Sequence, residues 1–286
     1  MKGSGKSMLA ILHLILTLAT TLLYLFYGAV PSGFVGVLAV AGVFLGALVA
    51  WFAVFLLFLI IVMVGFRDAN PKRMFKHAVM IAFARYYYCL ILRVKLIVTG
   101  RENLPKNNLF VIYSNHIEAA DPMYLKMVFR RFPVAFISKE VLFKQFLLGD
   151  MLRSVGCIPI SPGADRSAMN TILEGIKRVK GGQPYCIYPE GRRTYSNDII
   201  AFKPGSFKLA TKAEADIIPV AVYDMHEINR KGRILPCTVR LHVFPAILAT
   251  DYAGSDTIEL AKKVETIVGA KMEEFKRLYP TPSHKS

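Results

Sequence analysis

The hydrophobic pattern divides the chain into two unlike parts. Residues 8–30 form a run of 23 without a formal charge, and residues 34–66 form a second of 33. As helices they would measure about 34 and about 50 Å, against a bilayer hydrocarbon core of roughly 30 Å. Pro31-Ser32-Gly33 supplies a turn between them. The second run is longer than the core is thick, so it must tilt, kink or project beyond the bilayer. A cleaved signal peptide is the competing account. Against it, the apolar region is too long and Gly28-Ala29-Val30-Pro31 is a poor cleavage site.

Beyond residue 66 the pattern changes to short apolar runs alternating with helical periodicities. Strands are expected at 94–99, 109–114, 134–138, 157–161, 184–188, 217–223 and 239–244. Helices are expected near 121–131, 143–155, 167–180 and 206–213. That alternation predicts an α/β fold, a mixed and largely parallel sheet flanked by helices. The chain closes on an amphipathic helix with Ile258, Ala261, Val264, Val268 and Phe275 on one face. Asp256 and Glu259 are placed as a capping box at its start, and 279–286 reads as a polar tail.

The boundary falls at Asp68-Ala69-Asn70-Pro71, giving a membrane-anchoring helical hairpin over 1–67 and a second domain over 68–286. Residues 75–92 are apolar and aromatic, with Tyr86-Tyr87-Tyr88 near their end. They suit a helix lying in the headgroup region, or a buried core helix; the pattern does not separate the two.

Charge sharpens the division. Of 36 basic residues only Lys2 and Lys6 precede Arg67, and none of the 20 acidic ones does, so a charge of +14 falls on the remaining 220 residues. Lysines precede the first apolar run, and Arg67, Lys72, Arg73 and Lys76 follow the second. By the positive-inside rule the two spans form a transmembrane hairpin with both ends, and the domain attached, on the cytoplasmic face. The basic residues are scattered and no nucleic-acid motif occurs, so anionic membrane lipid is the expected partner rather than nucleic acid. Four cysteines, Cys89, Cys157, Cys186 and Cys237, include no C-x-x-C pair. This excludes a disulfide scaffold and zinc sites of standard spacing, and suits a reducing compartment.

Two stretches carry candidate chemistry. Ser114-Asn115-His116-Ile117-Glu118-Ala119-Ala120-Asp121-Pro122 leaves an expected strand, crosses a loop and enters a helix. A loop of that kind can fold His116 onto Asp121, so that the carboxylate accepts one ring N–H and the other nitrogen serves as a base. A satisfied structural histidine would show the same spacing. The second stretch, Tyr188-Pro189-Glu190-Gly191-Arg192-Arg193-Thr194, follows a strand with a carboxylate, a glycine, two guanidiniums and a hydroxyl. It could receive a phosphorylated, hydroxylated molecule, or form a solvated turn.

Together these blocks resemble the 1-acylglycerol-3-phosphate acyltransferases, the lysophosphatidic acid acyltransferase family. The family pattern is N-H-x-x-x-x-D, a later block ending in Arg, then F/Y-P-E-G-x-R-S/T and an apolar V/I-P-V/I stretch. Here these read Asn115-His116 to Asp121, Gly156-Cys157-Ile158-Pro159-Ile160, the 188–194 stretch and Ile218-Pro219-Val220. The resemblance covers roughly 94–244 and implies a glycerolipid acyltransferase-like fold. It also implies acyl transfer from a thioester, acyl-CoA or acyl-ACP, to the free hydroxyl of lysophosphatidic acid, in phospholipid biosynthesis. His116 would be the general base and Asp121 its orienting partner, with no covalent acyl-enzyme. Glu190 and Gly191 would position the acceptor, and Arg193 and Lys139 would hold its phosphate. Asn115, Arg192 and Thr194 complete the implied substrate site, and Pro219 would shape an acyl channel. No cofactor and no metal are expected.

Two departures bear on the acceptor. Glu118 stands where members often have a small hydroxyl residue. Ser161-Pro162 replaces the usual Asp-Arg of the second block, with Asp165-Arg166 four residues later, so Arg166 is expected to reach the phosphate through a longer loop or the contact is lost. A relative acylating glycerol 3-phosphate, another lysophospholipid or an amino-lipid is therefore one alternative. A non-catalytic module binding anionic lipid is another.

Overall fold

The computed structural model describes residues 8–161 and 165–280, and side chains other than those of residues 165–168. The two apolar runs are helices, α1 (Met8–Tyr27) and α2 (Gly33–Gly65), both long and apolar enough to cross a membrane. They pack on each other. The Trp51 indole of α2 donates to Thr20 Oγ1 of α1 at 3.1 Å, and the His13 ring on α1 meets the Leu48 carbonyl at 2.9 Å.

Helix α3 (Met74–Ala84) runs back along α2 and widens into a π-helical turn, Arg85–Ile91. Lys76 on its first turn donates to the Phe66 and Ala69 carbonyls at 3.1 and 3.0 Å, tying α3 to the turn that follows α2. At the other end, the Tyr86 hydroxyl lies 2.5 Å from His13 Nδ1, at the level of Leu48. From Leu48 to Phe66 is about 27 Å of helix. The surplus length of α2 is thereby explained: its later half lies along the domain, where Leu59, Val62 and Met63 are buried. Residues 75–92 are divided in their burial. Met80, Ile81, Ala84 and Tyr86 are buried, while Phe75, Tyr87, Leu90 and Ile91 are exposed.

Seven strands follow: β1 (Val94–Thr99), β2 (Phe110–Ser114), β3 (Ala135–Lys139), β4 (Ile158–Ile160), β5 (Tyr185–Ile187), β6 (Asp216–Tyr223) and β7 (Cys237–Val243). Each falls within a residue or two of its expected place. They form one sheet in the order β1-β7-β6-β2-β5-β3-β4. Only β6 and β7 pair antiparallel, so β2 to β6 all point one way and β1 and β7 the other.

Helices α4 (Asp121–Val128), α5 (Glu140–Phe143), α6 (Leu148–Ser154), α7 (Asp165–Lys180), α8 (Lys208–Ala213) and α9 (Thr257–Leu278) flank the sheet. Alternation along β2 separates its two faces. Tyr113 stacks on Phe207 at 4.1 Å on one side, whereas Phe110 meets Phe129 and Phe132 at the end of α4 on the other. The helix expected over 143–155 is two short helices, because Leu147 takes a positive φ of 62° and turns the chain. At α9, Asp256 caps the Ile258 N–H, a single cap in place of the expected box with Glu259.

Two arrangements inside the fold rest on pairings that the sequence did not mark. Lys126 on α4 is fully buried; its ammonium reaches His77 Nδ1 on α3 and the Val134 carbonyl, each at 2.6 Å. Burial pushes Lys126 down to about 8, and burial plus the Lys126 charge pushes His77 down to about 3. Pro219 sits in mid-sheet on β6. There Val220 pairs with Val243 and Ile217 with Ile247, so the return strand carries one extra residue, a bulge opposite the proline that has no N–H to give.

Candidate active site

His116 lies just past the C-terminal end of β2, and Glu190 just past that of its parallel neighbour β5. Ligands of open parallel sheets bind outside those ends. The peptide Asn115 to Ala120 turns so that Asp121, at the start of α4, faces back under the loop. Its Oδ2 accepts from His116 Nδ1 at 2.6 Å, from Ile117 N–H at 2.7 Å and from Glu118 N–H at 3.0 Å. The two amides can only donate, so Oδ2 serves as an acceptor and the ring proton belongs on Nδ1. Nε2 is left with its lone pair. Asp121 is fully buried, while the His116 side chain keeps 18% of its surface exposed. Burial raises the Asp121 carboxyl, opposed by its bonds to His116 and the two amides.

The second stretch closes over the first. Tyr188 lays its ring flat on the imidazole, centroids 3.9 Å apart and planes 15° from parallel. Thr194 N–H and Tyr195 N–H donate to the His116 and Ile117 carbonyls at 2.9 and 3.1 Å. Glu190 Oε1 accepts the His116 N–H at 3.4 Å. Only 1% of Glu190 is exposed, and that burial, with Asp121 nearby, pushes its carboxyl up to about 8 against the pull of the His116 and Ile200 amides and of Arg192.

Not every expected residue is exposed at this end of the sheet. Asn115 is buried, and its side chain exchanges two hydrogen bonds with the Val222 backbone at 2.9 and 2.8 Å. It fixes the end of β2 to β6 rather than meeting a substrate. Thr194 directs its hydroxyl to the His116 and Ser196 carbonyls, at 3.2 and 2.9 Å, and so braces the loop. Pro219 is a mid-strand residue of β6 beside Tyr113, with Tyr223 ending the strand. Glu118, one of the two departures from the family pattern, is buried and accepts from the Ala119 N–H at 2.9 Å.

Lys139, Gly191, Arg192 and Arg193 are exposed on the same rim. Arg193 is held over the Tyr195 ring at 5.1 Å. Gly191 has φ 73°, and a Cβ there would lie 2.6 Å from Lys203 Nζ. Lys203 is therefore a further cation at this turn, delivered by its own N–H bond to the Pro189 carbonyl at 3.0 Å. It stands twelve residues beyond Gly191 in an unremarkable loop, so nothing in the sequence marked it. The side chain of Arg166 lies outside the described residues.

A family model described as Acyltransferase matches residues 95–223, which include both blocks of the site. The chain is 31% identical over 185 residues to a 1-acyl-sn-glycerol-3-phosphate acyltransferase of Borreliella burgdorferi, covering 64% of this chain and 74% of that one. It belongs to the 1-acyl-sn-glycerol-3-phosphate acyltransferase family. The human 1-acyl-sn-glycerol-3-phosphate acyltransferase beta is 28% identical to this acyltransferase over 201 residues, 69% of either chain. The crystal structure of the 1-acyl-sn-glycerophosphate acyltransferase PlsC from Thermotoga maritima shares its fold, with a TM-score of 0.61 and 21% identity over 96% of this chain and 97% of that one.

Proposed function

We propose that this acyltransferase transfers a fatty acyl group from a thioester, acyl-CoA or acyl-ACP, to the free hydroxyl of lysophosphatidic acid, giving phosphatidic acid. The observation that carries the reading is the 2.6 Å bond between His116 Nδ1 and the buried Asp121 carboxylate, which leaves Nε2 as a base on a ring that keeps 18% of its surface exposed. Nε2 takes the hydroxyl proton as the oxygen attacks the thioester carbonyl. The tetrahedral species collapses with cleavage of the C–S bond, and the leaving thiolate recovers the proton from the imidazolium. Asp121 stabilises that transient cation and fixes the tautomer.

The acceptor supplies its own nucleophile, so the protein needs no acyl-enzyme. Glu190 holds its proton near neutral pH, which equips it to donate to an acceptor oxygen. Arg193, Arg192, Lys139 and Lys203 offer the cations for a phosphate monoester. The burial of Glu118, which accepts from the Ala119 N–H, supports this acceptor over a different one. In the same reading, α1 and the first half of α2 cross the bilayer with both ends on the cytoplasmic side, beside anionic lipid.

Purified full-length protein in detergent, offered a panel of lyso-acceptors with acyl-CoA and with acyl-ACP, tests the assignment. Phosphorylated lyso-acceptors should be used best, and His116→Ala should abolish transfer while the melting curve stays intact. Undiminished transfer by folded His116→Ala would remove the imidazole from the mechanism.

A further inference from the structure

The end of the sheet opposite His116 holds a second gathering of positive charge. Strands β2 and β3 start there, and β1, which runs the other way, finishes there. The chain leaves β1 through a 3₁₀ turn, Arg101–Asn103, on its way to β2. Across from that turn, the segment that ends α4 and leads to β3 forms the other side of a cavity of about 650 Å³. Four exposed cations line it: Arg101, Lys106, Arg130 and Arg131. Leu104, Val128 and Phe132 supply an apolar wall. Small-molecule sites occupy about 300–1,000 Å³.

Both sides are fixed before anything binds. A Cβ on Gly100 would strike the Val243 carbonyl, so the 3₁₀ turn sits directly on β7, and Asn103 Nδ2 donates to the same carbonyl at 3.0 Å. Opposite, Phe132 N–H donates to the Phe129 carbonyl at 2.9 Å, and both rings pack on Phe110. Among the described residues, none of the four cations has a hydrogen-bond or ion-pair partner. Glu102, the sole carboxylate of these two segments, is not on the cavity; it lies close enough to His242 of β7 for its charge to act there. Like charges gathered in one hollow repel, and a bound anion relieves that repulsion.

Bilayer phosphates are an unsuitable source of the anion. Lys126, near the end of α4, meets His77 at 2.6 Å, and His77 meets the Pro71 carbonyl at 2.8 Å, so the cavity lies toward the Phe66–Pro71 end of the molecule. Tyr86, at the other end of the same helix, lies at the level of Leu48, about 27 Å away along α2. On the reading that α1 and the first half of α2 cross the bilayer, the cavity faces the aqueous phase.

We propose that this cavity binds a nucleotide, with its phosphates on the four cations and its base against the apolar wall beside the Phe132 ring. Several separated cations match more than one phosphate, and arginine is suited to holding them in pairs of bonds. Two molecules carry that chemistry: a free nucleoside polyphosphate, and the nucleotide portion of coenzyme A. The first source is independent of the acyl-transfer reading, and the second rests on it.

The test titrates full-length protein in detergent with ADP, coenzyme A and adenosine, followed by calorimetry. ADP and coenzyme A should bind saturably and adenosine should not. Arg130→Ala/Arg131→Ala should weaken ADP by about 10-fold or more. Arg193→Ala, at the opposite end of the sheet, should leave ADP binding unchanged. Transfer assays on the double variant then separate the sources. A KM raised for acyl-CoA and unmoved for acyl-ACP assigns the cavity to coenzyme A, and a KM unmoved for both assigns it to a free nucleotide. No ADP binding, equal binding of adenosine, binding indifferent to Arg130 and Arg131 or lost with Arg193, or equal damage to both donors overturns the proposal. The binding arms decide it whether or not the protein transfers acyl groups.

Discussion

The Tyr188 ring lies flat against the His116 imidazole, 3.9 Å between centroids. A histidine anchored at Nδ1 alone can still swing about that bond. The aromatic plane removes the swing and aims Nε2 at one point. Such contacts contribute about 0.5–1.5 kcal/mol beyond area burial. Tyr188→Leu is therefore expected to lower kcat by roughly 3–10-fold with a smaller change in KM, while Tyr188→Phe stays close to the parent. Steady-state kinetics on the two variants check this, and a Phe variant as poor as the Leu variant would shift the role from the ring to the hydroxyl.

Asp121→Asn tests the tautomer argument. The amide can still accept from the Ile117 and Glu118 N–H groups, so the loop should keep its shape. What it loses is the charge beneath the imidazolium and the preference for a proton on Nδ1. Loss of the equivalent partner in serine hydrolases costs about 10⁴ in kcat. A fall of roughly 10²–10⁴ in kcat with an unchanged melting temperature is expected; a fall below about tenfold would leave His116 acting without its carboxylate.

The contact between His116 and Asp121 was legible because the two sit five residues apart on one strand–loop–helix passage, where local spacing determines contact. The seven strands were legible for a related reason: each is a short apolar run bounded by turns. What escaped notice depends on distant pairings. Asn115 meets Val222 across 107 residues and Lys126 meets His77 across 49. The first turned an expected ligand into a strap between β2 and β6. Lys203 needed the β5 turn to be folded before its ammonium could lie over Gly191. The length of α2 was read correctly as excessive, but only α3 folding back on it shows where the excess goes.

Glu190 makes a prediction about pH. Its carboxyl is pushed up to about 8 in the folded protein, by burial first, against an ordinary value of 4.5. Below pH 4.5 both folded and unfolded chains carry the proton and the site costs nothing. Between 4.5 and 8 the unfolded chain releases it while the folded chain retains it, so stability falls as pH rises. Glu190→Gln keeps the acceptor for the His116 N–H and has nothing to titrate. Its melting temperature should match the parent near pH 4.5 and exceed it by roughly 5 °C or more at pH 8. Thermal melts across that interval in detergent decide it; a constant gap would mean that folding does not raise the Glu190 carboxyl.

The rim cations make the last prediction, and the most specific to substrate. Arg193 is held by Tyr195 at 5.1 Å, and Lys203 Nζ hangs over Gly191, so both charges are placed before a ligand arrives. A charge-assisted bond to phosphate contributes about 1.5–3 kcal/mol. Arg193→Ala and Lys203→Ala should each raise KM for the phosphorylated acceptor by roughly 10–100-fold while moving KM for the acyl donor little. The donor also carries phosphates when it is coenzyme A, so the comparison is sharpest with acyl carrier protein as carrier. The discriminating measurement is the ratio of the two KM changes. Equal damage to both substrates would mean that these cations support the loop or the donor, and the phosphate would have to be sought nearer Lys139.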